Sequence, residues 1–309
     1  MQMRFLRNLS ITIIIAMLFT SLTGCSSLNT KAESDSNSDK QLIIGGTTYT
    51  EQFIVSDLLA TLVEEKMPDV KVVRKQGLNG TMVVHSAMTN GDIDAAVEYI
   101  GSGLMQILHK DLIRDPDEAY KVVKDNYHDK WHIKWLKPLG FNNTYAMVVK
   151  KDYAKAHGLK NSSDLSKVAS DITLGCSMEF SERPDGYPGW KKAYGIDLKD
   201  IVPMDSGIMY SSIKNGEVNA ISAFATDGRI PEFDLQVLED DKEFFPPYYA
   251  VPMIKEEKLK EIPGLEELIN KLGDKISDKE MMKLNAKVDI DGMEPHEVAK
   301  EFLKENNLI

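Results

Sequence analysis

Residues 90–103, "NGDIDAAVEYIGSG", are restated at 215–228 as "NGEVNAISAFATDG". Nothing else in the chain restricts its fold as tightly, because two copies of one unit have to be housed in one molecule. Residues 79–89 and 206–214 are helical in pattern, and each runs directly into Asn-Gly. Both residues tolerate the left-handed conformation that ends a helix. The order in each copy is therefore helix, Asn-Gly turn and buried strand. Each strand ends on an aromatic, Tyr99 in one copy and Phe224 in the other, with a glycine two to four residues later.

Around the repeat, short β-branched runs alternate with longer amphipathic ones, which is the pattern of an α/β protein. Strands are expected at 41–46, 70–75, 94–100, 144–151, 172–177, 201–204, 219–225, 235–240 and 248–254. A helix is expected over 56–67 with Ser56 as its cap, and closing helices over 263–274, 277–287 and 294–306. Ligands of open parallel sheets sit beyond the carboxyl ends of the strands. Tyr99 and Phe224 stand at that end in their copies, so two similar lobes would bring them face to face across a cleft.

The N-terminus carries an address. Arg4 and Arg7 precede the apolar run "ITIIIAMLF", and "LTGC" follows at 22–25. The run is short of the roughly 20 residues that a membrane span needs, and the order is that of an export signal. Leu-x-Gly-Cys resembles the lipobox of bacterial lipoproteins, which implies removal of residues 1–24 and lipidation of Cys25. The Ser-rich polar stretch up to residue 40 reads as a tether. Residues 41–309 exceed the usual size of a single core and suit two lobes.

Removing residues 1–24 takes away Arg4 and Arg7 and no acid, so the net charge of −11 becomes −13. That balance argues against a nucleic-acid partner. With Cys25 lipidated, Cys176 is alone and no disulfide framework exists. "SSIK" at 211–214 fits Ser-x-x-Lys, but the Ser-Asp-Asn and Lys-Thr-Gly that complete a β-lactamase signature do not occur. His128 and His132 have helical spacing without the glutamate of a zincin, and the stretch Trp131–Trp135 reads as strand. No enzyme, metal or cofactor is expected.

Aromatics recur at the junctions: Tyr49 after the first strand, Tyr145 and Tyr248–Tyr249 where the chain would cross between lobes. Rings converging on one cleft suit a quaternary ammonium group, at about 2 kcal/mol per desolvated ring. Such a cation has no N–H to donate, so a ring face holds it better than a carboxylate does. A protein of the same shape that binds an amino acid or other small zwitterion is the alternative, and it needs a cation–anion pair in the cleft.

From about residue 41 to the end, the chain resembles the substrate-binding lipoproteins of osmoprotectant (glycine betaine/carnitine/choline) ABC importers. The resemblance is carried by "TYTEQF" (48–53), "AAVEYIGSG" (95–103), "SERPDGYPGWKKAYG" (181–195) and "ATDGRI" (225–230). It implies a two-lobed type II periplasmic-binding-protein fold with two crossing strands, lobe 1 from 41–147 and 248–309, lobe 2 from 148–247. It implies cage roles for Tyr99, Tyr145, Tyr248 and Phe224, the last where the family more often has Tyr; Tyr249 stays open as the alternative to Tyr248. Ser102 would offer a hydroxyl to a betaine carboxylate. Arg183 would bind that carboxylate or only organise the Asp185-Gly186 turn, and Tyr49, Gln52 and Thr48 would add contacts from the first loop. "TDGR" is expected to serve mainly as a turn. The partners implied are a membrane permease and a separate ATPase, since the chain has no phosphate-binding Lys-Ser/Thr loop. The expected state is a monomer, anchored by lipid to the outer face of the cell membrane.

Overall fold

The computed structural model describes residues 40–309; the signal, lipidation and tether expectations lie outside these residues. Ten strands form two five-stranded sheets. The first contains β1 (Lys40–Thr47), β2 (Val70–Leu78), β3 (Ala95–Tyr99), β4 (Ile133–Trp135) and β10 (Ala250–Lys255), in the order β2-β1-β3-β10-β4. The second contains β5 (Tyr145–Lys150), β6 (Thr173–Cys176), β7 (Asp200–Pro203), β8 (Ala220–Phe224) and β9 (Leu235–Leu238), in the order β7-β6-β8-β5-β9.

The two orders superimpose position for position, and the repeated strands β3 and β8 fall at the centre of their sheets. Each has a parallel neighbour on one side, β1 or β6, and an antiparallel one on the other, β10 or β5. The sheets are thus mixed, not purely parallel. The antiparallel strand in each is the one reached by crossing from the other lobe.

Both faces of each sheet are covered. Strand alternation sends Ala95, Val97 and Tyr99 of β3 into one core, shared with α1 (Thr50–Lys66) and the closing helices, while Ala96 enters the core on the other face. In the second sheet Met147 and Val149 face one core and Ala146 and Val148 the other. Strands buried on both sides lose the hydrophobic-polar alternation, which is why they read as continuous apolar runs.

Helix α1 begins at Thr50, six residues before the expected start, with Tyr49 at its cap and no side-chain cap bond. Ser56 is not a cap. It lies buried within the helix, its hydroxyl donating to the Gly45 carbonyl at 3.3 Å. The residues 50–55 continue the apolar pattern, and a mid-helix serine that bonds to a strand carbonyl imitates a start signal. Helix α2 (Thr81–Thr89) and its counterpart Ser206–Asn215 run into Asn-Gly as expected. The stretch 131–135 is not all strand: a helix lasts to Trp131, His132 turns left-handed at φ 54°, and β4 starts at Ile133.

Segments 136–144 and 239–249 carry the chain between the sheets. They pair side by side through an antiparallel bridge of Asn142 with Tyr249. The Asn143 amide donates to the Tyr248 carbonyl at 3.1 Å, and the Ala250 amide to the Phe141 carbonyl at 3.3 Å. Strand β5 is bonded to β8 from Tyr145 onward, so the expected lobe boundary at 147/148 falls inside a strand of the second sheet. A third connection is non-covalent. The loop after β8 presses on helix Asp278–Asp289 of the first lobe, where a Cβ on Gly228 would stand 2.4 Å from the Ala286 nitrogen.

Candidate functional site

The C-terminal ends of β3 and β8, the crossover residues and the start of α1 enclose a cleft of about 430 Å³. Its position follows from the topology, since two sheets of equivalent order meet with their central strand ends opposed. Tyr99 is the last residue of β3 and Phe224 the last of β8. Tyr145, first in β5, is the cross-strand partner of Phe224.

The aromatics form two pairs. Tyr49 lies over Tyr99 with centroids 6.5 Å apart and ring planes 24° from parallel. Tyr145 lies over Phe224 at 5.1 Å and 23°. Tyr145 is held from behind by Phe180 at 5.0 Å, edge to face, and burial pushes its hydroxyl up to about 12. Tyr49 and Phe224 leave nearly half their surface uncovered, 43% and 46%, while Tyr99 is buried. A buried ring backing an exposed one on each side leaves ring faces open to the cleft.

Tyr248 also lines the cleft, and Tyr249 instead packs into a core of the first lobe. The Tyr248 ring fits because residue 101 has no side chain: a Cβ there would stand 2.6 Å from the ring. Its hydroxyl donates to Asp185 Oδ2 at 3.0 Å. Ser102 and Arg183 are on the wall. Arg183 Nε and Nη2 donate to Asp185 at 2.8 and 2.6 Å, so this arginine does organise its turn while facing the cleft.

Two residues expected at the site are elsewhere. Gln52 is buried inside α1 with Nε2 donating to the Val97 carbonyl at 3.2 Å, and Thr48 is exposed and off the wall. The early helix start accounts for Gln52, because it turns 50–53 into a helical turn where only some side chains point inward.

The expectation that "TDGR" serves mainly as a turn is corrected. Thr226, Asp227 and Arg229 all line the cleft. Arg229 Nε and Nη2 donate to Asp227 at 2.9 and 2.6 Å, repeating the Arg183–Asp185 fork, and the guanidinium lies 4.2 Å from the Tyr210 ring centre.

Sequence reading overlooked several wall residues, Asn143, Tyr210 and Asn285 among them, and the most connected of those it missed is Glu51. Its Oε1 accepts from the Tyr99 hydroxyl at 2.6 Å and Asn143 Nδ2 at 2.8 Å. Its Oε2 accepts from the Thr226 hydroxyl at 2.6 Å and Asn285 Nδ2 at 3.2 Å. Burial raises its pKa, and the four donors oppose that rise. One carboxylate thereby joins α1, β3, a crossover, the second lobe's loop and a closing helix. An acid in a first helical turn ordinarily reads as dipole compensation. The usable signal was that this acid lies inside "TYTEQF", two residues after a cleft aromatic.

Among the described residues no group of three or more His, Cys, Asp or Glu is placed to hold a metal ion. None of their helices is long and apolar enough to cross a membrane.

Residues 40–305 match the family model described as the substrate binding domain of ABC-type glycine betaine transport systems. The carnitine transport binding protein OpuCC of Listeria monocytogenes is 39% identical over 309 residues, which cover 99% of this chain and 98% of that protein. A glycine-betaine-binding protein of Pseudomonas aeruginosa is 35% identical over 279 residues, 87% of this chain and 88% of that one. Among solved structures, a glycine betaine/carnitine/choline ABC transporter protein superimposes with a TM-score of 0.82 at 37% identity. That match covers 86% of this chain and 99% of the other.

Proposed function

The chain belongs to the family of substrate-binding domains of ABC-type glycine betaine transport systems, and from that premise we propose that it captures quaternary-ammonium osmolytes in the aromatic cleft. As a member it is an extracytoplasmic receptor serving an ABC importer, not an enzyme. Glycine betaine, carnitine and choline are the proposed ligands.

The observation that carries the reading is the meeting of two stacked aromatic pairs, Tyr49/Tyr99 and Tyr145/Phe224, on one cleft. Each desolvated ring facing a methylated ammonium contributes about 2 kcal/mol, and the group carries no N–H for which a partner must be found. Tyr248 completes the cage, and Ser102 with Arg183 would take a betaine carboxylate. The paired crossovers 136–144 and 239–249 act as the hinge on which the lobes close. The closed form is what the permease reads, and the ATPase supplies the energy. The receptor works as a monomer, tethered through a lipid on Cys25.

Calorimetric titration of the purified chain with glycine betaine, carnitine, choline and a panel of amino acids tests the ligand. Saturable binding to a methylated ammonium is expected; binding to amino acids alone would overturn the reading. Mass spectrometry of protein extracted from membranes should find a diacylated Cys25, and an unmodified thiol would remove the anchor.

A further inference from the structure

We propose that Glu51 supplies the negative charge by which the cleft selects a positively charged head group over a neutral one of the same shape. The inference rests on the quaternary-ammonium reading and adds a specificity residue to it. The wall carries four carboxylates and two guanidinium groups. Asp227 is neutralised by Arg229, and Arg183 is neutralised by Asp185. Glu179 and Asp289 are exposed, where water screens them. Glu51 is 3% exposed and, among the described residues, is bonded by no lysine, arginine or histidine. It is the one buried wall charge left without an opposite charge.

Its bonding also fixes what it can offer a ligand. A carboxylate has about four lone-pair sites, and Tyr99, Asn143, Thr226 and Asn285 use four. Glu51 therefore presents an electrostatic field, not a free acceptor. A methylated ammonium cannot donate a hydrogen bond, so a field is the only thing it can read, and in a buried wall that field is weakly screened. The Tyr99 hydroxyl, donating to a carboxylate, also pushes electron density into its ring and strengthens the face toward a cation. Two of the four donors are amide groups that can only donate, which favours the ionised form.

The test compares glycine betaine with 3,3-dimethylbutanoate, which has the same outline and carboxylate but a carbon in place of the charged nitrogen. Both are titrated against the full chain as wild type, Glu51→Gln and Glu305→Gln. Glu51→Gln should lose tenfold or more in betaine affinity without losing affinity for the isostere. Glu305→Gln removes a carboxylate charge from an exposed position off the cleft wall, so it should stay within threefold of wild type for betaine. Asn143→Lys, at a half-buried crossover position, places an ammonium on Glu51 and should reproduce the Glu51→Gln loss should the latter not fold. Betaine affinity unchanged in Glu51→Gln and Asn143→Lys, or an equal loss in Glu305→Gln, overturns the assignment. Wild-type protein that binds no quaternary ammonium overturns the ligand reading first, and this inference with it.

Discussion

Gly228→Ala gives a sharp test of how the lobes are joined, because two effects of opposite sign compete there. Gly228 sits at φ −63° and ψ −19°, a conformation that alanine adopts freely. On backbone grounds alone the substitution should stabilise by about 0.4–1 kcal/mol, through a less flexible unfolded chain. The steric ground points the other way. The new methyl would stand 2.4 Å from the Ala286 nitrogen, 2.7 Å from its Cα and 2.8 Å from the Met282 carbonyl oxygen, all backbone of one helix. Restoring ordinary contact moves the loop by about 1 Å. That shift breaks the Thr226–Glu51 bond and the Asn285 bond to the Thr226 carbonyl, now 2.6 and 2.9 Å. A hydrogen bond to a charged group contributes about 1.5–3 kcal/mol and a neutral one about 1. Less the backbone gain, the net loss is about 2–4 kcal/mol, or roughly 5–15 °C in Tm for lobes of this size. Differential scanning calorimetry reads it directly. A Tm at or above that of the wild type would mean that the loop does not bear on the helix, and the third connection between lobes would be wrong.

The remaining predictions concern the cage and one buried acid. Tyr99→Ala should weaken betaine binding at least tenfold in calorimetry while leaving a cooperative melt, since it removes one cage face of about 2 kcal/mol; unchanged affinity excludes Tyr99 from the site. Tyr248→Phe keeps the ring and loses the bond to the Asp185 carboxylate, so it should cost about 1.5–3 kcal/mol of stability and under tenfold in affinity; a larger affinity loss would mean that the hydroxyl meets the ligand. Burial pushes Glu98 up to about 7 from an ordinary 4.5. The fold therefore favours its protonated form. The contribution is complete below about pH 4.5 and disappears as the pH rises through 7, about 3 kcal/mol in all. Urea midpoints of Glu98→Gln should lack that decline, and an identical slope in the variant would assign it elsewhere.

What could be read from the sequence was what lies close along the chain. The doubled helix-turn-strand unit was legible because each copy fits within a few tens of residues, and it located Tyr99 and Phe224 before any geometry was known. Tyr248 and Tyr249 could not be separated, because successive residues of an extended segment point to opposite sides and the register of a crossover is set by its partner strand. Glu51 was hidden for a stronger reason. Its donors lie 48, 92, 175 and 234 residues further along, and only the finished tertiary structure brings them together. The same holds for "TDGR", whose local arginine–aspartate fork looks like turn chemistry until the second lobe is set against the first.

The strand order of the first sheet has a consequence for how the molecule is made. Its fourth strand in space, β10, is its last in sequence, and it lies between β3 and β4. Every residue of the second sheet is synthesised before β10 arrives, and that sheet draws only on residues 145–238. The second lobe can therefore complete its sheet while the first is still an open pair of edges. The lobe begun first is closed last. The cleft wall includes Asn285 and Asp289 of a closing helix, so it is complete only when the C-terminal helices have been made, and no partly synthesised chain offers a finished site to a ligand.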